Sequence, residues 1–280
     1  MRRLPSEGGV SILATFCRCK IWKFYPMMEK QTARPLNASV DADEIEKFSA
    51  LADEWWDPEG SFQPLHKLNP VRLGYIRDRI CDHFGRAAQE PKPLMDLRLA
   101  DVGCGGGLLT EPMARLGANV TGLDASERNV MVARTHAERM GLDIDYRYTT
   151  VETAAAAGEQ YDVVLNMEVV EHVADLDSFL NASCALVAPG GLMFVATLNR
   201  TMKSFAFAIL GAEYVMRWLP RGTHDWRKFV RPSEMAHALR RGGLSDTSFA
   251  GLAFDPLHGS WRVEERDISV NYMGCAVRPQ

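Results

Sequence analysis

Asp101-Val102-Gly103-Cys104-Gly105-Gly106-Gly107 is a glycine-rich turn between the apolar run Leu97-Arg98-Leu99-Ala100 and the segment Leu108-Leu109-Thr110-Glu111. A short buried strand, a glycine turn and a helix N-terminus, in that order, form a nucleotide-binding loop. Glycine reaches positive φ and lets backbone N–H groups come close to a carboxylate, a ribose or a phosphate. The phosphate loop G-x-x-x-x-G-K-[ST] is excluded, because no Lys-Ser or Lys-Thr follows these glycines. The dinucleotide fingerprint G-x-G-x-x-G fits Gly103 and Gly105 but meets Leu108 where its third glycine packs helix on strand.

What remains, D-x-G-C-G-x-G, resembles motif I of the class I S-adenosylmethionine-dependent methyltransferases. That resemblance implies that Asp101 faces the methionine ammonium of the donor and that the glycine amides lie against the ligand. The next strand, Asn119-Val120-Thr121-Gly122-Leu123-Asp124, ends in a carboxylate 21 residues beyond Gly103, the distance at which an acidic residue reaches a ribose diol. Dehydrogenases share that spacing, so Asp124 gains its weight from the missing third glycine upstream. A tight turn with no ligand is the bland alternative, and Asp124 in register speaks against it.

At 280 residues, 46% hydrophobic and 24% charged, the chain is an ordinary globular one with a sizeable core. Its net charge of −4 leaves no basic excess to neutralise phosphates, so nucleic acid is not expected as a partner. Cys17, Cys19, Cys81, Cys104, Cys184 and Cys275 form no C-x-x-C pair and read as reduced thiols of a cytosol-like compartment. Residues 1–38 carry seven basic residues against Glu7 and Glu29, with a short apolar run at 10–17. That run is too short to span a bilayer and lacks an A-x-A-like cleavage site. A mitochondrial presequence and translation starting at Met27 or Met28 both stay open; disorder is expected in either case. Residues 39–280 are expected to form one domain.

Ile45, Phe48, Ala52 and Trp55 recur at helical spacing and predict an amphipathic helix over 43–55, stopped by Trp56-Asp57-Pro58. Asn69-Pro70 reads as the cap and first position of a second helix, with Leu73, Ile76, Ile80 and Phe84 on one face and Arg72 in the first turn. Together these predict a helical N-terminal cover over the ligand pocket. Helix over 108–116, strand over 119–124, a Ser126-capped helix, strands over 145–150 and 161–167, helix over 175–186 and strand over 191–198 then alternate. That order predicts an α/β fold with a doubly wound parallel sheet and ligands at the carboxyl ends of its strands. Two β-like runs, 247–254 and 268–277, fit a closing antiparallel pair and bring the sheet to seven strands.

A second chemical cluster follows the fourth strand: Asn166-Met167-Glu168-Val169-Val170-Glu171-His172-Val173. Two carboxylates and an imidazole at a ligand-binding edge are costly unless partnered or wet. In a helix Glu168, Glu171 and His172 would share a face. Oxygen ligands with one imidazole suit a hard divalent ion such as Mg²⁺. Three readings stay open: a metal site, a polar pocket wall, or His172 as a general base.

Further motifs sharpen the resemblance. Asn69 to Ile76, Asp101 to Gly107, Thr121 to Asp124, Met167 to Val173, Thr197-Leu198-Asn199-Arg200, Gly211-Ala212-Glu213-Tyr214, Gly222-Thr223-His224-Asp225 and Val270-Asn271-Tyr272-Met273 together resemble the ubiquinone biosynthesis O-methyltransferase family. The likeness runs from about Ile45 to the C-terminus. It implies a class I methyltransferase (Rossmann-like) fold and two O-methylations of polyprenylated aromatic intermediates, 2-polyprenyl-6-hydroxyphenol and 3-demethylubiquinol. It also implies donor binding by the residues at Arg72, Gly103, Asp124 and Met167, beside Asp101 and Gly105 of the loop. Eukaryotic members are described as Mg²⁺-dependent through the motif at Glu168, Glu171 and His172. A cytoplasmic place on the bacterial inner membrane follows, or the matrix face in mitochondria, with other quinone-biosynthesis enzymes as partners. Two rivals are a methyltransferase for another small molecule, which needs no carboxylate-rich cluster, and a non-catalytic lipid-binding scaffold, which would tolerate decay of the loop.

The segment after strand five, about 200–231, reads as an insertion. Residues 203–219 are strongly apolar and aromatic, and seven basic residues face two acidic ones over 200–231. The stretch is too short to span a bilayer. Its composition predicts an interfacial helix on anionic lipid, with a lid over the pocket as the alternative.

Overall fold

The structure is a computed structural model that describes residues 38–206, 225–255 and 259–280. The chain divides into two compact units, 1–33 and 34–280, and all described residues belong to the second. The expectation of disorder over 1–38 therefore falls, but for residue 38, outside the described residues, as does most of the 203–219 stretch.

Helix α1 (Ala42–Ala50) is capped by Asp41, whose carboxylate accepts from Glu44 N. It ends earlier than its periodicity predicts, and a 3₁₀ turn (Ala52–Glu54) delivers Trp55 and Trp56. Helix α2 (Gln63–Phe84) begins six residues before Asn69, with Pro64 in its first turn and Pro70 inside it. The Asn69-Pro70 signal marks no boundary, because the apolar residues preceding it, Leu65 and Leu68, pack inward and carry the helix back. Arg72 is thus a mid-helix residue, not a first-turn one.

Strand β1 (Arg98–Val102), helix α3 (Thr110–Arg115), β2 (Asn119–Asp124), α4 (Glu127–Arg139), β3 (Asp145–Tyr148), α5 (Val151–Ala156), β4 (Tyr161–Met167), α6 (Leu176–Ala185) and β5 (Val187–Leu198) alternate as predicted, with α5 as an added turn of helix. Ser126 and Asp175 cap α4 and α6 through their side chains. After a short helix α7 (Met202–Ser204) come α8 (Pro232–Arg241), β6 (Ser245–Asp255), β7 (Ser260–Glu264) and β8 (Asn271–Val277). The sheet runs β3-β2-β1-β4-β5-β8-β6-β7, parallel through β5 and antiparallel beyond. It has eight strands rather than seven: β7, which lies between the two β-like runs expected from the sequence, pairs with the far half of β6.

Strand period decides the layers. On β1, β4, β5 and β8, residues Leu99, Val163, Leu165, Leu192, Phe194, Met273 and Cys275 face one core with α2 and α3. Their alternates Ala100, Val102, Val164, Met193, Val195, Tyr272 and Ala276 face the other core with α6 and α8. Both faces are covered, as a doubly wound sheet requires. The carboxyl ends of β1, β2 and β4 thereby meet at one edge, beneath α1 and the start of α2.

Candidate functional site

The glycine loop adopts positive φ at Gly103 (71°), Gly105 (54°) and Gly107 (92°). Three of its N–H groups, expected to face a ligand, donate inside the protein instead. Gly103 N and Cys104 N reach Leu123 O at 2.7 and 3.1 Å, and Gly105 N reaches Asp124 Oδ2 at 2.8 Å. Parallel pairing of β1 with β2 brings those acceptors under the loop. What the glycines supply here is room: a Cβ on Gly105 or Gly106 would strike the Trp55 indole.

Trp55 and its neighbours close the loop from above. The Trp55 ring stacks on Phe62 at 3.7 Å, its Nε1 donates to Asn129 Oδ1 at 3.0 Å, and Trp56 Nε1 donates to Gly106 O at 2.9 Å. Asp124 also accepts from Ser126 N at 2.8 Å and Asn129 Nδ2 at 3.3 Å. Burial nonetheless raises its carboxyl above the ordinary value, against those hydrogen bonds. Asp101 is buried at the end of β1 and accepts from Thr110 Oγ1 at 2.6 Å. Burial, with a smaller push from Asp124, lifts its carboxyl to about 7.

The second cluster is not an α-helical face. Glu168 has φ of 60°, a strained value for a side-chain-bearing residue, and a 3₁₀ turn (Val170–His172) follows. Its carboxylate pairs with the buried Arg72 guanidinium from α2. Glu171 accepts from Thr197 Oγ1 at 2.8 Å. Burial first, then the adjoining Glu168 carboxylate, push the Glu171 carboxyl well above its ordinary value. His172 Nδ1 lies 2.9 Å from Glu44 Oε2 of α1, and Phe48 packs edge-on against the imidazole. The hydrogen bond with His172 holds Glu44 down to about 2.

Glu168, Glu171 and His172 therefore turn to three different protein partners, and among the described residues no three His, Cys, Asp or Glu groups gather as a metal centre. One observation still suits a cation. Glu171 Oε1 is buried without a hydrogen-bond partner among the described residues, beside a second carboxylate. Such a pair needs a proton or a positive ion between its members.

One cavity of about 760 Å³ joins these parts. Arg72, Asp101, Gly103, Asp124, Met167, Glu168, Glu171 and His172 all line it; Gly105 lies just behind, under Trp55. The sequence reading placed these residues together but missed Glu44, Trp55, Asn69, Asn129 and Thr197. Glu44 is 128 residues from His172, a juxtaposition no local spacing could signal. Asn69, read as a cap, instead donates to Leu108 O at 3.3 Å and ties α2 to the segment after the loop.

The family described as "Methyltransferase domain" matches residues 73–248. The ubiquinone biosynthesis O-methyltransferase of Brucella anthropi is 59% identical over 249 residues, spanning 89% of this chain and 99% of that protein. The protein of the same name from Sinorhizobium fredii is 56% identical over the same shares of the two chains. Among solved structures, magnesium protoporphyrin IX methyltransferase from Synechocystis PCC 6803, crystallised with S-adenosylhomocysteine, shares the fold at 18% identity and a TM-score of 0.53, over 84% of this chain and 93% of that one. A Thermotoga maritima S-adenosylmethionine-dependent methyltransferase does so at 18% and 0.55, over 84% and 98%.

Proposed function

This chain belongs to the ubiquinone biosynthesis O-methyltransferase family, and from that premise we propose how its cavity binds donor and acceptor and what it does to them. The protein is an S-adenosylmethionine-dependent O-methyltransferase. The acceptors are the hydroxyls of polyprenylated aromatic intermediates, 2-polyprenyl-6-hydroxyphenol and 3-demethylubiquinol. The carrying observation is the single cavity that joins the glycine loop to His172 and the two glutamates.

In this reading Asp124 accepts the ribose hydroxyls, and the cavity beside Gly103 takes the body of the donor, with Gly105 behind it under Trp55. Met167 packs beside the donor. Asp101 meets the methionine ammonium, and Arg72 takes the methionine carboxylate in exchange for Glu168. The acceptor phenol, with a pKa near 10 in water, must lose its proton to attack. His172 accepts that proton, and the Glu44 carboxylate holds the imidazole and balances the charge it gains. The phenolate oxygen bonds to the methyl carbon as the sulfur–carbon bond breaks, and the sulfonium leaves as a neutral thioether.

A second reading rests on the partnerless Glu171 Oε1 beside Glu168. Glu168, Glu171 and His172 would then hold a divalent cation such as Mg²⁺, which when bound lowers the pKa of a coordinated hydroxyl. Purified protein with S-adenosylmethionine and a short-chain prenylated catechol, with and without chelator, tests both. An O-methylated product by mass, formed equally with chelator, supports His172 alone. Loss with chelator and recovery with Mg²⁺ supports the cation. No methylated product in either case contradicts the acceptor assignment.

The Asp101 carboxyl, lifted to about 7, makes donor binding depend on pH. Below pH 7 the free protein holds Asp101 neutral, and the ammonium of the donor favours its ionised form. Donor affinity is expected to fall about tenfold from pH 8 to pH 6, with nearly one proton released per donor bound at pH 6. Calorimetry in two buffers of different ionisation heat checks this, and Asp101→Asn should flatten the profile.

Among the described residues no helix is long and apolar enough to cross a membrane. Peripheral attachment through 203–219, largely outside the described residues, is proposed from its apolar, aromatic and basic composition. Flotation on anionic vesicles that weakens with salt and is lost on changing Phe207, Ile209 and Trp218 to Ser is the expected result. Absence of binding at low salt assigns the stretch to a lid instead.

A further inference from the structure

The cavity does not end at the reacting groups. Helix α2 presents Leu65, Leu68 and Arg72 to it at i, i+3 and i+7, one face of a helix. Arg72 stands at the reacting centre beside Glu168; Leu65 lies about 10 Å further along the helix axis, at 1.5 Å per residue. Opposite this face stands the hairpin of β6 and β7. Leu252 and Phe254 alternate onto one side of β6, and Trp261 pairs directly across from Phe254, with ring centroids 5.3 Å apart. Leu198 at the end of β5 joins the wall. The charged groups that line this end, Lys203 and Asp267, pair with each other at 2.6 Å and are about half exposed, which marks the way out to solvent.

We propose that this apolar arm is the acceptor's tail site: the aromatic ring lies by His172, and the first isoprene units run outward between α2 and the β6–β7 hairpin. The inference rests on the acceptor reading above and adds where, and through which residues, chain length is sensed. The occupant follows from chemistry and continuity. The arm opens directly from the reacting centre, and its Leu65, Leu68, Leu198, Leu252, Phe254 and Trp261 side chains give a hydrocarbon chain contact without asking for a polar group. A catechol without a tail would leave those walls against water. The arm spans only a short run of chain, so the remainder of a long tail continues past the Lys203–Asp267 pair.

The test compares kcat/KM for a tailless catechol, a monoprenyl catechol and a farnesyl catechol, in the wild type and in the variants Trp261→Ser and Phe254→Ser, which stand across from each other in the hairpin. The wild type should gain about tenfold or more from tailless to farnesyl substrate, since burial of each CH₂ is favourable. Each variant should lose most of that gain while keeping its tailless rate and its dissociation constant for S-adenosylmethionine. Farnesol should compete with the farnesyl catechol in the wild type and leave donor affinity unchanged; that arm needs no variant to fold. The proposal is overturned if the wild type methylates all three equally, if the variants lose tailless and farnesyl activity in parallel, or if farnesol does not compete. Failure of the wild type on every catechol is a different result: it overturns the acceptor reading itself.

Discussion

His172→Ala is expected to cut kcat by about 10²- to 10⁴-fold, the usual worth of a positioned general acid or base. The dissociation constant for S-adenosylmethionine should stay within about threefold of the wild type, because His172 Nδ1 pairs with Glu44 of α1 rather than with the glycine loop or Asp124. The size of the loss follows from the acceptor. At neutral pH a phenol is almost wholly protonated, and without a base the enzyme must wait for the rare phenolate. Glu44→Gln should give a smaller loss in kcat, since it removes the anion that holds Nδ1 at 2.9 Å but leaves the imidazole. Stopped-flow single-turnover rates with a prenylated catechol separate the chemical step from release. If His172→Ala turns over within about threefold of the wild type, neither a base nor a metal ligand belongs at that position.

Arg72→Ala should act on two observables at once. The guanidinium is buried and pairs with Glu168, which adjoins the buried Glu171 carboxyl. Removing it leaves a second carboxylate without its cation in the same poorly hydrated corner, a break that costs about 3–5 kcal/mol in buried pairs. The thermal midpoint should fall accordingly, and Glu168→Gln added to Arg72→Ala should restore most of the loss. Donor affinity should drop about a hundredfold, the worth of a charge-assisted contact near 3 kcal/mol, and the added Glu168→Gln should not restore it. Recovery of stability without recovery of affinity distinguishes a donor-binding arginine from a merely structural one. An unchanged donor affinity in the folded variant contradicts the role.

How far the sequence reaches is visible in particular residues. The β1-loop-α3 passage, Asp124 at the end of β2 and the limits of β4 are local matters of apolar runs, glycine and caps, and the structure shows them where the sequence places them. The beginning of α2 was not legible, because Asn69-Pro70 satisfies the local rule for a cap while the inward packing of Leu65 and Leu68 overrides it. Strand β7 was missed for a related reason: its residues 260–264 gain strand order only from pairing with β6. In the site, residue types were readable and partnerships were not. Glu168, Glu171 and His172 look like one helical face in the sequence, yet the left-handed backbone at Glu168 breaks the face and sends each side chain to a partner from a distant element. Arg72, Thr197 and Glu44 reach the cluster only through the fold.

That a single cavity holds the donor against the glycine loop and aims its methyl group at an oxygen beside His172 is the central proposal. A crystal structure with S-adenosylhomocysteine and a prenylated catechol tests it most directly. The ribose hydroxyls should lie on Asp124, the homocysteine carboxylate on Arg72 with Glu168 released, and the ring hydroxyl between the sulfur and His172, with the tail toward Trp261. A homocysteine moiety seated away from Arg72, or a catechol whose hydroxyl faces neither the sulfur nor His172, would contradict it.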